Sequence, residues 1–271
     1  MTKIIGIINN KGGVGKTTTT CQLSYMLRMA GKRVLLIDAD SQKNSTGTFR
    51  AKSEGEATLY DCLLAPDKYR VDIEETIQHT KYMDIIAGDE LLDDPSALSK
   101  DLQSGMLRLK NMIDNSSIRD NYDYVLIDTH PVTDMILYNV LMVATDVIIP
   151  VRAGTYEAEG IVKILKVIKE VKNSQNPDIN IAGILFTDID DRTNITLLGR
   201  TLVQEIADQE KDLDLKIFDT YIRRSVAVSE SQAMRVPLFE YKKNSNASKD
   251  YEALLQECFG LDVDYSNAIG I

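Results

Sequence analysis

The stretch from residue 4 to residue 31 restricts the fold more than anything after it. Ile4-Ile5-Gly6-Ile7-Ile8 is apolar at successive positions, as in a strand covered on both faces, and leads straight into Asn9-Asn10-Lys11-Gly12-Gly13-Val14-Gly15-Lys16-Thr17-Thr18. A helix follows at once, with Leu23, Met26, Leu27 and Ala30 at i, i+3, i+4 and i+7 and Gly31 where a C-terminal cap belongs. A strand joined to an amphipathic helix by this loop has the parts of a phosphate cradle. Glycines let backbone N–H groups turn inward around an anion, and the helix N-terminus adds the positive end of its dipole. Lys16 reaches the outer phosphates and the Thr17 hydroxyl suits Mg²⁺. A glycine-rich turn that holds no ligand is the alternative, and the helix start directly after Gly-Lys-Thr speaks against it.

The rest of the chain repeats the alternation. Apolar, β-branched runs at 34–37, 125–127, 147–149 and 181–186 are separated by helical patterns at 98–114, 133–144, 155–173, 194–208 and 246–259, with weaker ones at 57–65 and 226–234. This predicts an α/β fold: a single-domain, doubly wound, mostly parallel sheet with helices on both faces. With 271 residues, 44% of them apolar, and no linker, a single domain over residues 1–260 is expected, followed by a short acidic tail, 261–271, with the residues after Phe259 frayed. Apolar runs of four or five residues fall far short of the ~20 that span a bilayer, and no leader precedes the first strand, so a cytoplasmic address is expected. Cys21, Cys62 and Cys258 share no short spacing, which offers neither a disulfide framework nor a metal pair.

Two further segments carry chemistry. Asp38 and Asp40 lie at i, i+2 where the second strand ends, at the edge of the sheet where open α/β folds hold ligands. Both are therefore expected beside the phosphates, although a capping role for Asp40 stays open. Tyr122-Asp123-Tyr124-Val125-Leu126-Ile127-Asp128 reads as a buried strand ending in a carboxylate, so that Asp128 would hold Mg²⁺ through water while Thr17 ligates it. His130 invites a general-base role, but hydrolysis of a phosphoanhydride needs positioning more than a strong base, and a polar loop histidine is the better reading. His79 lies in a solvent-facing helical pattern and carries no function.

Taken together, Lys11-Gly12-Gly13-Val14-Gly15-Lys16-Thr17-Thr18 resembles the deviant Walker A box of the ParA/MinD ATPases. Asp38-Ala39-Asp40-Ser41-Gln42-Lys43-Asn44 is similar to the family's switch I, with Ser41 and Lys43 where proline and glycine are usual. Asp190-Asp191-Arg192-Thr193-Asn194 and Ile222-Arg223-Arg224-Ser225-Val226 resemble later family motifs, with Arg223 in place of proline and Ser225 in place of asparagine. The resemblance covers about residues 3–258 and implies ATP with Mg²⁺, bound through Lys11, Gly12, Gly13, Val14, Gly15, Lys16, Thr17 and Thr18. It implies a homodimer closed around ATP in which Lys11 reaches the partner's phosphates, with Lys11, Lys16 and Asp40 as catalytic residues. Asp40 would orient the attacking water, and Thr17, Asp38 and Asp128 would form the metal shell.

With only Met1 and Thr2 ahead of the first strand, the chain reads as a ParA/Soj-type member of the short form, without an N-terminal DNA-reading module. Members of that kind bind DNA non-specifically as ATP dimers and are released when a ParB-like adaptor stimulates hydrolysis, so nucleoid association in the ATP state is implied. The chain is acidic, at a net charge of −10, but residues 223–249 hold six basic and two acidic residues. Carried over, the DNA contacts would be Arg192, Arg223, Arg224 and Arg235, with Lys242 and Lys243 as lesser candidates. A MinD-like membrane-cycling or protein-cargo positioner is the alternative. It would need a basic amphipathic C-terminal helix, whereas Lys249, Asp250, Glu252 and Glu257 leave this one acidic, so no membrane partner is expected.

Overall fold

The computed structural model describes residues 1–100, 102–153, 157–190 and 194–267. Its seven strands are β1 (Lys3–Ile7), β2 (Val34–Ala39), β3 (Ile77–His79), β4 (Asp84–Ile86), β5 (Tyr124–Thr129), β6 (Asp146–Arg152) and β7 (Asn180–Thr187), in the order β3-β4-β2-β5-β1-β6-β7. Every neighbouring pair is parallel except β3 with β4 at the edge. The helices are α1 (Lys16–Met29), α2 (Asn44–Thr48), α3 (Leu59–Leu63), α4 (Leu102–Met106), α5 (Arg108–Asp114), α6 (Ile118–Asn121), α7 (Met135–Val143), α8 (Glu157–Lys172), α9 (Asn194–Gln209), α10 (Val226–Met234), α11 (Leu238–Lys242) and α12 (Asn246–Phe259). The expected doubly wound α/β architecture is what forms.

Each central strand is apolar at successive positions because both of its faces are covered. Ile4, Leu35, Ile37, Val125, Ile127, Val147 and Ile149 face a core shared with α7 and α8, while Ile5, Ile7, Leu36, Leu126, Ile148 and Leu185 face one built by α1 and α12. At ~25 cal/mol per Å² of apolar surface removed from water, these two layers supply the main drive for folding. Pro150 is tolerated inside β6 because β1 pairs only with Asp146–Ile148; beyond that point β1 has turned into the loop.

Three expectations need correction. The helix expected at 98–114 is broken into a 3₁₀ turn (Pro95–Lys100), α4 and α5. The buried Asn139 of α7 makes the break possible: its Nδ2 donates to Gly105 O (2.8 Å) and its Oδ1 accepts from Leu109 N (2.9 Å), satisfying backbone groups that a continuous helix would have paired internally. His79 lies in the edge strand β3, not in a helix, with its ring against Asp84 (2.7 Å). The tail is docked as far as Asn267, whose Nδ2 donates to Met29 O (2.9 Å) at the end of α1.

Candidate active site

The strand order decides what meets what. β5 is inserted between β2 and β1, and the parallel register sets Asp128 level with both Asp38 and Ile7. Three segments far apart in sequence thereby end side by side at the carboxyl edge of the sheet, under one cavity of about 1360 Å³. Gly12, Gly13, Gly15, Lys16, Thr17, Thr18 and Asp40 line that cavity.

The loop is shaped for an anion. Gly13 and Gly15 have φ of +73° and +86°, left-handed values that cost a glycine nothing. Asn9 ties the loop to the sheet, accepting from Lys11 N (3.0 Å) and donating to Pro150 O (2.8 Å). Thr187 Oγ1 donates to Val14 O (2.8 Å) from the other side. Lys16 Nζ is folded back onto Lys11 O at 2.9 Å, bridging the loop that it would open to receive a phosphate. Burial lowers the Lys16 pKa, while the nearby Asp128 and Asp40 carboxylates oppose the shift. Val14 is buried beneath the loop. Lys11 does not line the cavity; its stem lies on Gly160 of α8, 3.0 Å from where a Cβ would stand.

Opposite the loop, Asp128 accepts from Ser45 Oγ (2.7 Å) and from Thr20 Oγ1 (3.4 Å), and the Thr17 hydroxyl is near enough to lower its pKa. Asp38 is occupied otherwise: its Oδ2 accepts from both the amide and the hydroxyl of Thr46 at 2.7 Å, and its Oδ1 from Asp40 N at 3.3 Å. Its carboxylate thus fastens α2, which follows the Asp40 turn, to β2. Burial pushes both carboxyls well above the usual carboxylate range, Asp38 further because Asp128 stands beside it. Such a site gains from a cation. Among the described residues no group of three or more His, Cys, Asp or Glu forms a cation site. The donor set of Thr17 and Asp128 instead fits a Mg²⁺ whose remaining ligands are phosphate oxygens and water.

Asp40 is 6% exposed, and its Oδ1 accepts from Gln42 N (2.9 Å), closing a turn that leads into α2. The N-cap of α2 is Lys43, so Asp40 caps no helix; its carboxylate shapes the turn and stands on the cavity wall. His130 is engaged at both ring nitrogens, Nδ1 with Ala39 O (3.1 Å) and Nε2 with Asp134 Oδ2 (3.0 Å). Burial opposes the charge, but Asp134, Ala39 O and the nearby Asp40 carboxylate raise the pKa. With both ring nitrogens engaged, His130 is fixed in the loop, in line with the reading taken from sequence.

The far wall of the cavity contains the basic residues read as DNA contacts. Arg223 is clamped to Asp250 (Nε to Oδ2, 3.0 Å), Arg224 and Arg152 share Asp188 (3.0 and 2.7 Å), and Arg235 lies along Gly47 of α2. Arg223, Arg224 and Arg235 line the cavity, as does Arg152, which was not among the expected contacts; Arg192 lies outside the described residues. Sequence reasoning missed Asn9, Ser45, Thr46, Asp188 and Gln232, whose Nε2 donates to Thr18 Oγ1 (3.0 Å). Ser45 and Thr46 had a signal in their place just after the Asp-x-Asp; Asp188 and Gln232 had none.

A glycine-rich cradle with two lysines, beside paired carboxylates at the edge of a doubly wound parallel sheet, defines a P-loop nucleotide hydrolase of the deviant Walker A class. The family described as "AAA domain" matches residues 2–181. The chain is 34% identical over 258 residues to the sporulation initiation inhibitor protein Soj of Bacillus subtilis, covering 95% of this chain and 98% of that one. It is 30% identical over 265 residues to the chromosome partitioning protein ParA of Caulobacter vibrioides, covering 97% and 96%. A cobyrinic acid a,c-diamide synthase of Mycobacterium smegmatis, solved with bound ADP and magnesium, superposes with a TM-score of 0.77 at 26% identity, over 94% of this chain and 95% of that one. The chain belongs to the ParA/MinD family of ATPases, among its Soj/ParA-type members. It is an ATPase.

Proposed function

We propose that this ATPase is a DNA-partitioning switch. Two subunits close around ATP with Lys11 exchanged between them, the dimer binds DNA without sequence preference in the cytoplasm, and a ParB-like adaptor stimulates hydrolysis to release it. The observation that carries the chemical part is the convergence of Lys16 and Asp40 on one cavity, with the buried Asp128 close enough to act on the Lys16 charge. The likeness to Soj and ParA along nearly the whole chain supports the partition part.

In this reading Gly12–Thr18 bind the phosphates through backbone N–H groups and Lys16, while Thr17 and Asp128 hold the metal and Asp38 keeps their neighbour α2 in place. Mg²⁺, when bound, neutralises charge that builds on the phosphates. Asp40 orients the water, and Lys11 leaves Gly160 to act on the partner's nucleotide much as an arginine finger does. DNA is met by the exposed Arg224 together with Arg235, Lys242 and Lys243, and by Arg192. Arg223, held on Asp250, keeps the cavity wall together. Dimerisation pairs two basic islands, so an acidic chain can still gain enough phosphate contacts, with binding that falls steeply with salt.

Membrane cycling finds no support in α12, whose Tyr251, Leu254 and Leu255 are spent in the core. Among the described residues no helix is long and apolar enough to cross a membrane. The test is duplex DNA binding by Asp40→Ala with ATP, ADP or no nucleotide across a salt series. Binding confined to the ATP state and lost with salt is expected; an ATP dimer that ignores DNA would move the cargo to a membrane or a protein surface.

A further inference from the structure

The two departures in the turn after Asp40, Ser41 and Lys43, are bound by one and the same stretch of chain. Lys43 Nζ meets Glu90 Oε1 at 2.7 Å, and Ser41 Oγ donates to Asp93 Oδ1 at 3.2 Å. That stretch, residues 88–94, follows β4 and is itself firmly placed. Gly88 N donates to Thr46 Oγ1 (2.8 Å), and Gly88 O accepts from Ser53 Oγ (2.8 Å). A Cβ on Gly88 would stand 2.9 Å from Asp40 O, so the two segments touch backbone to backbone. Asp89 caps a 3₁₀ turn (Glu90–Asp93) by accepting from Leu91 N (2.9 Å), and Leu92 pins that turn in the core at 1% exposure.

Lys43 holds φ of +56°, a left-handed value that a lysine keeps only where its surroundings over-determine it. A proline at 41 would restrain this turn through its ring. Here Ser41 lacks the ring, and the restraint comes from contacts made by the facing segment instead. We propose that residues 88–94 form a clasp on the Asp40 turn, and that Lys43 and Ser41 are positioning residues for hydrolysis, holding Asp40 at the cavity wall through Glu90 and Asp93. The proposal rests on the reading of Asp40 as the residue that orients the water.

The test compares Glu90→Gln, Asp93→Ala and Lys43→Gly with the charge swap Lys43→Glu/Glu90→Lys and with Asp40→Ala. It measures kcat for ATP, ATP affinity by calorimetry, and hydrogen exchange of amides 41–48. The Glu90 and Lys43 variants, which break an exposed ion pair, and the Asp93 variant, which removes a hydrogen bond, should each lower kcat about two- to fivefold with ATP affinity unchanged and faster exchange in 41–48; the swap should restore the kcat and exchange lost with the Lys43–Glu90 pair. Unchanged kcat and exchange would overturn the clasp, as would a loss of kcat matched by an equal loss of ATP affinity, or a swap that restores nothing. If Asp40→Ala turns over like the unaltered protein, the reading of Asp40 fails. An inert Asp40→Ala beside fully active clasp variants removes the clasp alone.

Discussion

At the scale of single residues, the carboxylates of the site are held by buried hydroxyls and amides with more than one role each. Thr46 Oγ1 donates to Asp38 while accepting from Gly88 N, so Thr46→Val strands the Gly88 N–H in the interior and leaves Asp38 Oδ2 with the Thr46 amide alone. We expect it to destabilise the fold by about 1–3 kcal/mol in urea titrations, with a smaller effect from removing the hydroxyl of the half-buried Ser53. Lys16→Ala should abolish nucleotide binding, and retained affinity in calorimetry would remove the cradle assignment. Lys11→Ala should bind ATP as a monomer; a dimer seen by light scattering in ATP would refute its exchange between subunits. The thiols offer a check of burial. Cys62 and Cys258 are pushed up to about 12 by burial, and Cys21 is raised further, so thiolate is scarce at pH 8. Alkylation at that pH should be slow in the native protein and rapid at all three positions in urea.

Among elements, short pieces decide where the chemistry sits. The long strands and helices were legible in the sequence because each has a sustained period: β1, β2, β5, β6 and β7 fall on the expected runs, and α10 on the expected 226–234. The short pieces β3, β4, α2 and α11 were not, because three to five residues are too few to show a period against tertiary contacts. Their positions come from what they touch. α2 is hung on Asp38 and Asp128 through Thr46 and Ser45, and β4 delivers Gly88 against the Asp40 turn. Gly88→Ala must move that backbone. It should cost about 1–3 kcal/mol in denaturant titration and depress ATPase turnover more than ATP affinity.

For the whole molecule, binding and stability are linked. If the cavity takes ATP with Mg²⁺, a hundredfold excess over Kd adds about 2.7 kcal/mol, and the melting temperature rises with ATP and Mg²⁺ and falls back with a chelator. A melting temperature indifferent to the metal would separate nucleotide binding from the Thr17 and Asp128 pair.

The sequence by itself determined the alternation of strands and helices, the cradle at 9–18 and the carboxylates that end their strands, because these depend on local periodicity and on residue types at short spacing. The tertiary structure decided that β5 lies between β1 and β2, which alone brings Asp128 level with Asp38. It also decided that Arg223, Arg224 and Arg235 line the nucleotide cavity, and that an acidic segment grips the Asp40 turn. Those pairings join residues tens to hundreds of positions apart. The strand order that makes them comes from the packing of two cores against one sheet, and no local window of the chain contains it.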